Sequence, residues 1–373
     1  MHRRQFLRNT TLSATAAGLF GFDRLVRADQ VSWPDSGEDI SVDVYPATGK
    51  VKRSGEGSIC VLDDGSLLYA TTEFFAAEDA ADAHIIARRS ADGGKTWEEP
   101  RELQKNTGKL NVMSATLRRL PKWNEAKPPI GMFYLEKNAP DDLKVLLRVS
   151  QDECRSFGEP IRVSTIGGYH VMNNDRVTVL KDGRLLAPVA SSPNHIRVNY
   201  FQSFCFLSDD GGRTWRVSKN KVDYAKRGAM EPEVIELRDG TVLMIIRTQL
   251  GHIAAATSAD GGETWSEAKS FGVRAPEAPA TLRRIPTTGD LLLLWNDNYV
   301  EGAGHGGRRT PLNSAVSSDE GKTWKHQRVL EDDPSGSFCY MSLIFHEGRA
   351  VMSYYVGGGS RFRSLPIEWF YGA

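Results

Sequence analysis

The sequence lacks an excess of either charge. Its 373 residues carry 47 basic and 47 acidic side chains, a formal net charge of zero. That excludes the basic footprint by which proteins bind nucleic acid in bulk. Beyond the N-terminus no apolar run is long enough to cross a bilayer, so no membrane span is expected in the mature protein. There are only four cysteines, Cys60, Cys154, Cys205 and Cys339, and nowhere the Cys/His spacing of a zinc site. Three of them stand in or beside strand-like segments, where a buried free thiol is commoner than a disulfide. Two bridges would be possible in an oxidising compartment. No Ser/Pro-rich linker marks a domain boundary.

What is abundant is repetition. The pattern Ser-x-Asp-x-Gly-x-Thr-Trp occurs at Ser90–Trp97, Ser208–Trp215 and Ser258–Trp265, and as SSDEGKTW at Ser317–Trp324. A degraded copy, SQDECRSF, runs from Ser150 to Phe157. A period of roughly fifty to sixty residues means a repeated supersecondary unit. The Asp side chain can bond backbone N–H groups of the turn while Gly takes positive φ, and the Trp then packs a large ring on a neighbouring sheet. These Asp residues are therefore expected to be structural, at the outer edge of the fold.

A second repeat interleaves with the first. Short apolar strands flank a Gly-containing turn in 58–70, 177–189, 233–247, 280–295 and 341–355, and 115–135 is the same hairpin with a longer turn. Asp-Gly between apolar runs is a hairpin signal. Six hairpins, five followed by a box, predict an all-β fold: a six-bladed β-propeller with short protected edges. The last hairpin has no box after it, so 40–45 (ISVDVY) is expected to lend that blade a strand and close the ring. Residues 29–373 read as one domain, expected to be monomeric.

The first residues, Met1-His2-Arg3-Arg4-Gln5-Phe6-Leu7-Arg8, precede an apolar stretch through Phe22 and the small Ala28. This resembles a twin-arginine export signal over 1–28. Periplasmic or extracellular localisation is expected.

With its boxes and hairpins, the chain resembles the sialidase (neuraminidase) family over nearly all of the mature sequence. The resemblance implies a Tyr nucleophile at the start of the last hairpin, where Cys339-Tyr340-Met341-Ser342-Leu343 fits. A neutral phenol avoids the repulsion an anionic nucleophile would meet at an anomeric carbon bearing a carboxylate. It needs a base beside it. The resemblance assigns that base to Glu231 and a carboxylate-binding role to Arg247, sixteen residues on across a hairpin, with Glu233 and Glu236 expected to be solvated. It assigns the general acid/base to Asp79, with Asp82 close enough to be confused with it, and a further carboxylate ligand to Arg309.

The match breaks in the first blade. Gly55 stands near the position where the family has an Arg, and Val356 where it has the Glu that orients it. Loss of both members of an ion pair is physically consistent, since losing one would strand a buried charge. Arg53 or Arg176 is expected to substitute. Asn174 and Asp175, beside Arg176 and near His170, are further candidates for sugar contact, and Trp295-Asn296-Asp297 could also face the pocket.

These residues imply an exported retaining glycoside hydrolase acting on a sialylated or other acidic glycan, with no metal or organic cofactor. A glycosidase or lyase for another acidic sugar, such as a uronate polymer, is the alternative enzyme. A non-catalytic carbohydrate-binding propeller is the alternative of another class.

Overall fold

The computed structural model describes residues 31–35, 37–123 and 127–372. The expected export signal, 1–28, lies outside the described residues. Among the described residues no helix is long and apolar enough to cross a membrane.

The chain is an all-β propeller. Each hairpin supplies the first two strands of an antiparallel meander, and in every meander but the closing one a box turn joins the third strand to the fourth. The first sheet contains Arg53–Val61, Leu67–Phe74, Ala83–Ser90 and Arg101–Gln104. Two later four-stranded sheets begin at Met230–Glu236 and at Thr281–Arg284. The closing sheet is Ser342–His346, Arg349–Val356, Gly359–Pro366 and, at its edge, Ile40–Tyr45. Ile40 pairs with Ser364 and Val42 with Phe362, so the N-terminal strand completes the last sheet as expected.

The expectation of separate four-stranded sheets holds for these four. The remaining strands form one nine-stranded sheet. The short strand Tyr169–Val171 causes this fusion. It pairs in parallel with Asp142–Ser150 and antiparallel with Leu185–Ser192, bridging the meander that starts at Asn111–Arg119 to the one that contains Leu185–Ser192.

The box turns have the geometry their sequence implies. Thr96 donates its N–H to Asp92 Oδ1 at 2.9 Å and its hydroxyl to Oδ2 at 2.5 Å, while the Gly94 N–H donates to Ser90 Oγ. The same bonds recur at Asp210, Asp260 and Asp319. They recur at Asp152 in the degraded copy, where Cys154 holds the glycine position at φ 62°. All four cysteines are free.

Each box packs on the preceding meander. A Cβ on Gly94 would enter the ring of Phe362 in the closing sheet, and one on Gly212 would press on Leu147. The box of the first sheet therefore locks onto the last. The Trp rings sit there as well: Trp97 against Tyr69 and Phe362, Trp215 against Phe133, Trp324 against Phe271.

Where the hairpins converge, a buried polar hub replaces apolar packing. Asp175 is fully buried and accepts from Arg118 at 2.7 Å, Ser58 Oγ at 2.9 Å, and Arg283 and the Leu343 N–H at 3.1 Å each. Four sheets thus meet on one carboxylate. Burial alone would raise its pKa, but the two guanidinium groups outweigh that and hold it low.

Candidate active site

A pocket of about 260 Å³ is lined by Glu56, Asp79, Ser114, Glu231, Arg247 and Tyr340 among others. Four lining residues that are not glycine have left-handed backbones: Glu56 (φ 56°), Ser114 (61°), Glu231 (42°) and Tyr340 (57°). Irregular strand pairing surrounds three of them, between Gly55 and Ser58, Met113 and Thr116, and Met230 and Glu233. Bulges turn a side chain out of its regular alternation, and strained residues of this kind gather at functional sites.

Tyr340 and Glu231 meet, with Oη 3.4 Å from Oε1. Asn174 fixes the tyrosine's backbone by donating to its carbonyl at 2.9 Å, and Tyr355 packs edge-on at 5.6 Å between ring centroids. Burial, with Glu231 adding to it, pushes the Tyr340 phenol well above its ordinary value, so it is neutral at physiological pH. Burial also works to raise Glu231. Arg247, at 2.5 Å from Oε2, reverses that with help from Arg309, and the carboxyl is held below its usual range. The pair is thus a protonated phenol beside an ionised acceptor.

Arg247 pairs across its hairpin with Met230, which brings the two ends together. Its guanidinium is well occupied: one amino group goes to Glu231, the other to His305 Nδ1 at 2.6 Å and to Glu277 at 3.5 Å. Arg309 lies beside the nucleophile candidate, its Cζ 5.4 Å from the Tyr340 ring centroid and an amino group 3.1 Å from Cys339 Sγ. Asp79 lines the pocket and is ion-paired with Arg53 at 2.8 Å. The Arg53 guanidinium lies 3.8 Å over the Phe74 ring, with Nε and one amino group buried and unpartnered. Asp82 is held by Asn106 at 2.7 Å and does not line the pocket.

Three expected sugar-binding residues lie elsewhere. Arg176 is fully buried and ion-paired with Glu233 at 2.7 Å, with Thr281 Oγ1 and the Ala280 carbonyl as further acceptors. Asp175 is the hub. Asn174 is buried between the Gly57 and Tyr340 carbonyls. A guanidinium with no water around it needs a carboxylate, and Arg176 takes Glu233, which is therefore buried rather than solvated. Only Asn173 of that run lines the pocket. His170 is likewise buried, between Phe204 and Phe206. Trp295 and Asn296 bond to the Arg274 and Phe338 carbonyls, and Asp297 lies 3.5 Å from Arg274.

Sequence reasoning missed Glu56, Ser114, Arg227, Glu277 and His305. Glu277 is buried and bonds Arg227 as well as Arg247. No spacing rule pointed to it, because the segment before Thr281 has no repeat signature. Among the described residues no group of three or more His, Cys, Asp or Glu could hold a metal ion.

Residues 65–352 match the family model described as BNR repeat-like domain. The chain is 24% identical over 305 residues to a sialidase of Bacteroides fragilis (strain YCH46), covering 71% of this chain and 52% of that protein. It is 29% identical over 365 residues to a sialidase of Micromonospora viridifaciens, covering 84% and 52%. The chain thus spans about half the length of the curated relatives it matches. Among solved structures, a Hadza microbial sialidase superposes with a TM-score of 0.72 at 19% identity, over 88% of this chain and 69% of that one, which is a likeness of fold. With the family model spanning most of the chain, this protein belongs to the BNR repeat-like family of the sialidase superfamily.

Proposed function

We propose that the protein is a sialidase-like glycoside hydrolase that works with retention through Tyr340. The observation that carries this reading is the 3.4 Å approach of Tyr340 Oη to the ionised Glu231 inside the pocket. A buried phenol is a poor nucleophile until a base takes its proton, and Glu231 is placed for that. The phenol oxygen attacks the anomeric carbon, the glycosidic bond breaks, and a proton must reach the leaving oxygen. Water then attacks the glycosyl-tyrosine. Two displacements restore the starting configuration.

The substrate is a glycan ending in an acidic sugar. Sialic acid fits the logic of a neutral nucleophile, and the relatives are sialidases. Arg53, with buried guanidinium nitrogens that lack a partner, and Arg309, beside the Tyr340 ring, are placed to take a carboxylate, while both amino groups of Arg247 already hold Glu231 and His305. A uronate remains the second reading, favoured by the Tyr355 ring that fills the space beside Gly55. We further propose that the two meanders of the nine-stranded sheet act as separate blades, making six around the pocket, and that the paired arginines near the N-terminus direct export.

The test compares wild type with Tyr340→Phe on an aryl sialoside and an aryl glucuronide. Loss of turnover in the variant at an unchanged Tm is expected, and the sugar released distinguishes the two substrates. A variant that retains wild-type turnover rejects the covalent route.

A further inference from the structure

We propose that Cys60 and Cys154 are a built redox pair, which closes a disulfide between the first meander and the box turn of the second. The pair stands apart from the hydrolase reading, since neither cysteine lines the pocket of Tyr340. The reagent that oxidises it is another disulfide, on a small thiol or on a protein. In the first exchange the Cys60 thiolate attacks one sulfur of that disulfide, a mixed disulfide forms and one thiolate leaves. In the second the Cys154 thiolate attacks the Cys60 sulfur and displaces the other. The two protons lost by the cysteines end on the two departing thiols. Two cysteine thiols are oxidised and one disulfide is reduced, so atoms and electrons balance.

The box pattern shows where a side chain at Cys154 must point. Cys154 holds a place that is glycine in the other boxes, at φ 62°, a backbone that favours glycine. In those boxes the glycine has no room for a side chain. An added Cβ would collide with Phe362 at Gly94, with Leu147 at Gly212 and with Phe271 at Gly321, and would press on Leu186 at Gly262. Each of these neighbours belongs to the preceding meander, so a side chain at this place projects from one meander into the one before it. Only in the degraded copy does a side chain replace the hydrogen, and there its sulfur meets a second thiol. Cys60 and Cys154 are in hydrogen-bond contact.

The surrounding bonds hold this approach. Cys60 and Leu62 pack into the apolar core between the first and second meanders, where Cys154 is fully buried with Leu117, Ile130 and Met132. Just beyond Cys60, the Asp63 N–H donates to Glu153 Oε2 at 2.8 Å, and Glu153 is the chain neighbour of Cys154. Arg119 clamps the same two places. One of its amino groups donates to Glu153 Oε1 at 2.6 Å, the other to Glu153 Oε2 at 2.7 Å and Asp63 Oδ1 at 3.0 Å. Cys60 is half-buried and lines an open cavity of about 530 Å³, so it is the thiol an incoming reagent meets first. Contact with Cys154 and burial push the Cys60 thiol well above its ordinary range, with Glu153 adding to this and Arg119 opposing it, so its exchange is slow at neutral pH. Cys205 is buried in another core and Cys339 accepts from Arg309, which makes these two the internal controls.

Treating the reduced full chain with hydroxyethyl disulfide tests the pair. Half of its four thiols should disappear from a titration in denaturant. Mass spectrometry of a non-reduced digest should find the peptides of Cys60 and Cys154 joined, and dithiothreitol should release them. The oxidised protein should melt several degrees above the reduced one, because the link closes a long loop in the unfolded chain. Cys154→Gly restores the usual box residue and removes the second thiol, so it should trap the hydroxyethyl mixed disulfide on Cys60. Cys60→Ser should keep all of its remaining thiols. Four thiols retained after prolonged treatment in mild alkali, a bridge through Cys205 or Cys339, or an oxidised protein that melts below the reduced one overturns the assignment.

Discussion

A Cβ atom on Gly55 would fall inside the ring of Tyr355, against Cζ and Cε1. The ring fills space that the family resemblance reserves for an arginine, and its hydroxyl is buried without a partner. The departure at Gly55 and the bulk of Tyr355 are therefore one change seen from two sides. Gly55→Ala should cost about 1–3 kcal/mol, the usual range for overpacking. Adding Tyr355→Ala should relieve the clash, so the double variant loses less than the sum of the singles. Urea unfolding of the four proteins measures this coupling, and strict additivity would separate the two residues.

Arg176→Ala should act on stability and not on substrate affinity. Removing Arg176 takes from the buried Glu233 one of its two guanidinium partners, with Arg283 left as the other, at a cost of about 1–3 kcal/mol. Where the variant still folds, its KM on any acidic glycoside should match wild type. A raised KM at unchanged Tm would place Arg176 in the pocket after all.

The box turns make the fold sensitive to acid. Burial works against ionisation of Asp152 and Asp260, but bonds from Ser156 and Thr264 outweigh it and bring both down to about 2. Bonds from Thr323 lead in bringing Asp319 to about 2. A carboxyl depressed in the folded state stabilises it above the unfolded value, near ~4, and loses that contribution as pH falls through the folded value. The Tm should thus decline progressively between about pH 4 and pH 2. Asp260→Asn should lower the Tm at neutral pH and flatten the slope in that window. An unchanged slope in a variant lacking several of these carboxyls would count against the turns as its source.

Trp265 is 5% exposed and donates Nε1–H to Ser218 Oγ at 3.2 Å, tying its box to the preceding meander. Trp265→Ala should cost about 3–5 kcal/mol, with activity lost only as the protein unfolds. Activity lost at an unchanged unfolding midpoint would indicate a direct role in the site.

Much of this architecture is readable from period and turn chemistry. The Asp-Gly hairpins, the box turns and the edge strand Ile40–Tyr45 depend on local residues and a repeat, so they are visible in one dimension. Glu231 and Arg247 could be paired because an antiparallel hairpin brings its ends together. The burial of Arg176 and the place of Glu56 in the pocket escape the sequence for a common reason. Left-handed residues interrupt the period of two where the strands enter, at Glu56 and at Asp175 next to Arg176. Which face a side chain takes then depends on a backbone kink, not on counting. The fusion through Tyr169–Val171 was hidden because a three-residue strand leaves almost no pattern.

The pairing of the first strand with the last sheet sets the order in which the chain can mature. Asp39 and Arg363, which bond across that seam at 2.9 Å, are 324 residues apart in sequence. Contacts so distant along the chain incur the loop-closure entropy late and slow folding. Until Gly359–Pro366 has been synthesised, Ile40–Tyr45 has no partner and Phe362 is not there to receive the first box. The nascent protein must therefore carry two unsatisfied sheet edges until that seam closes, and such edges are templates for pairing with other chains.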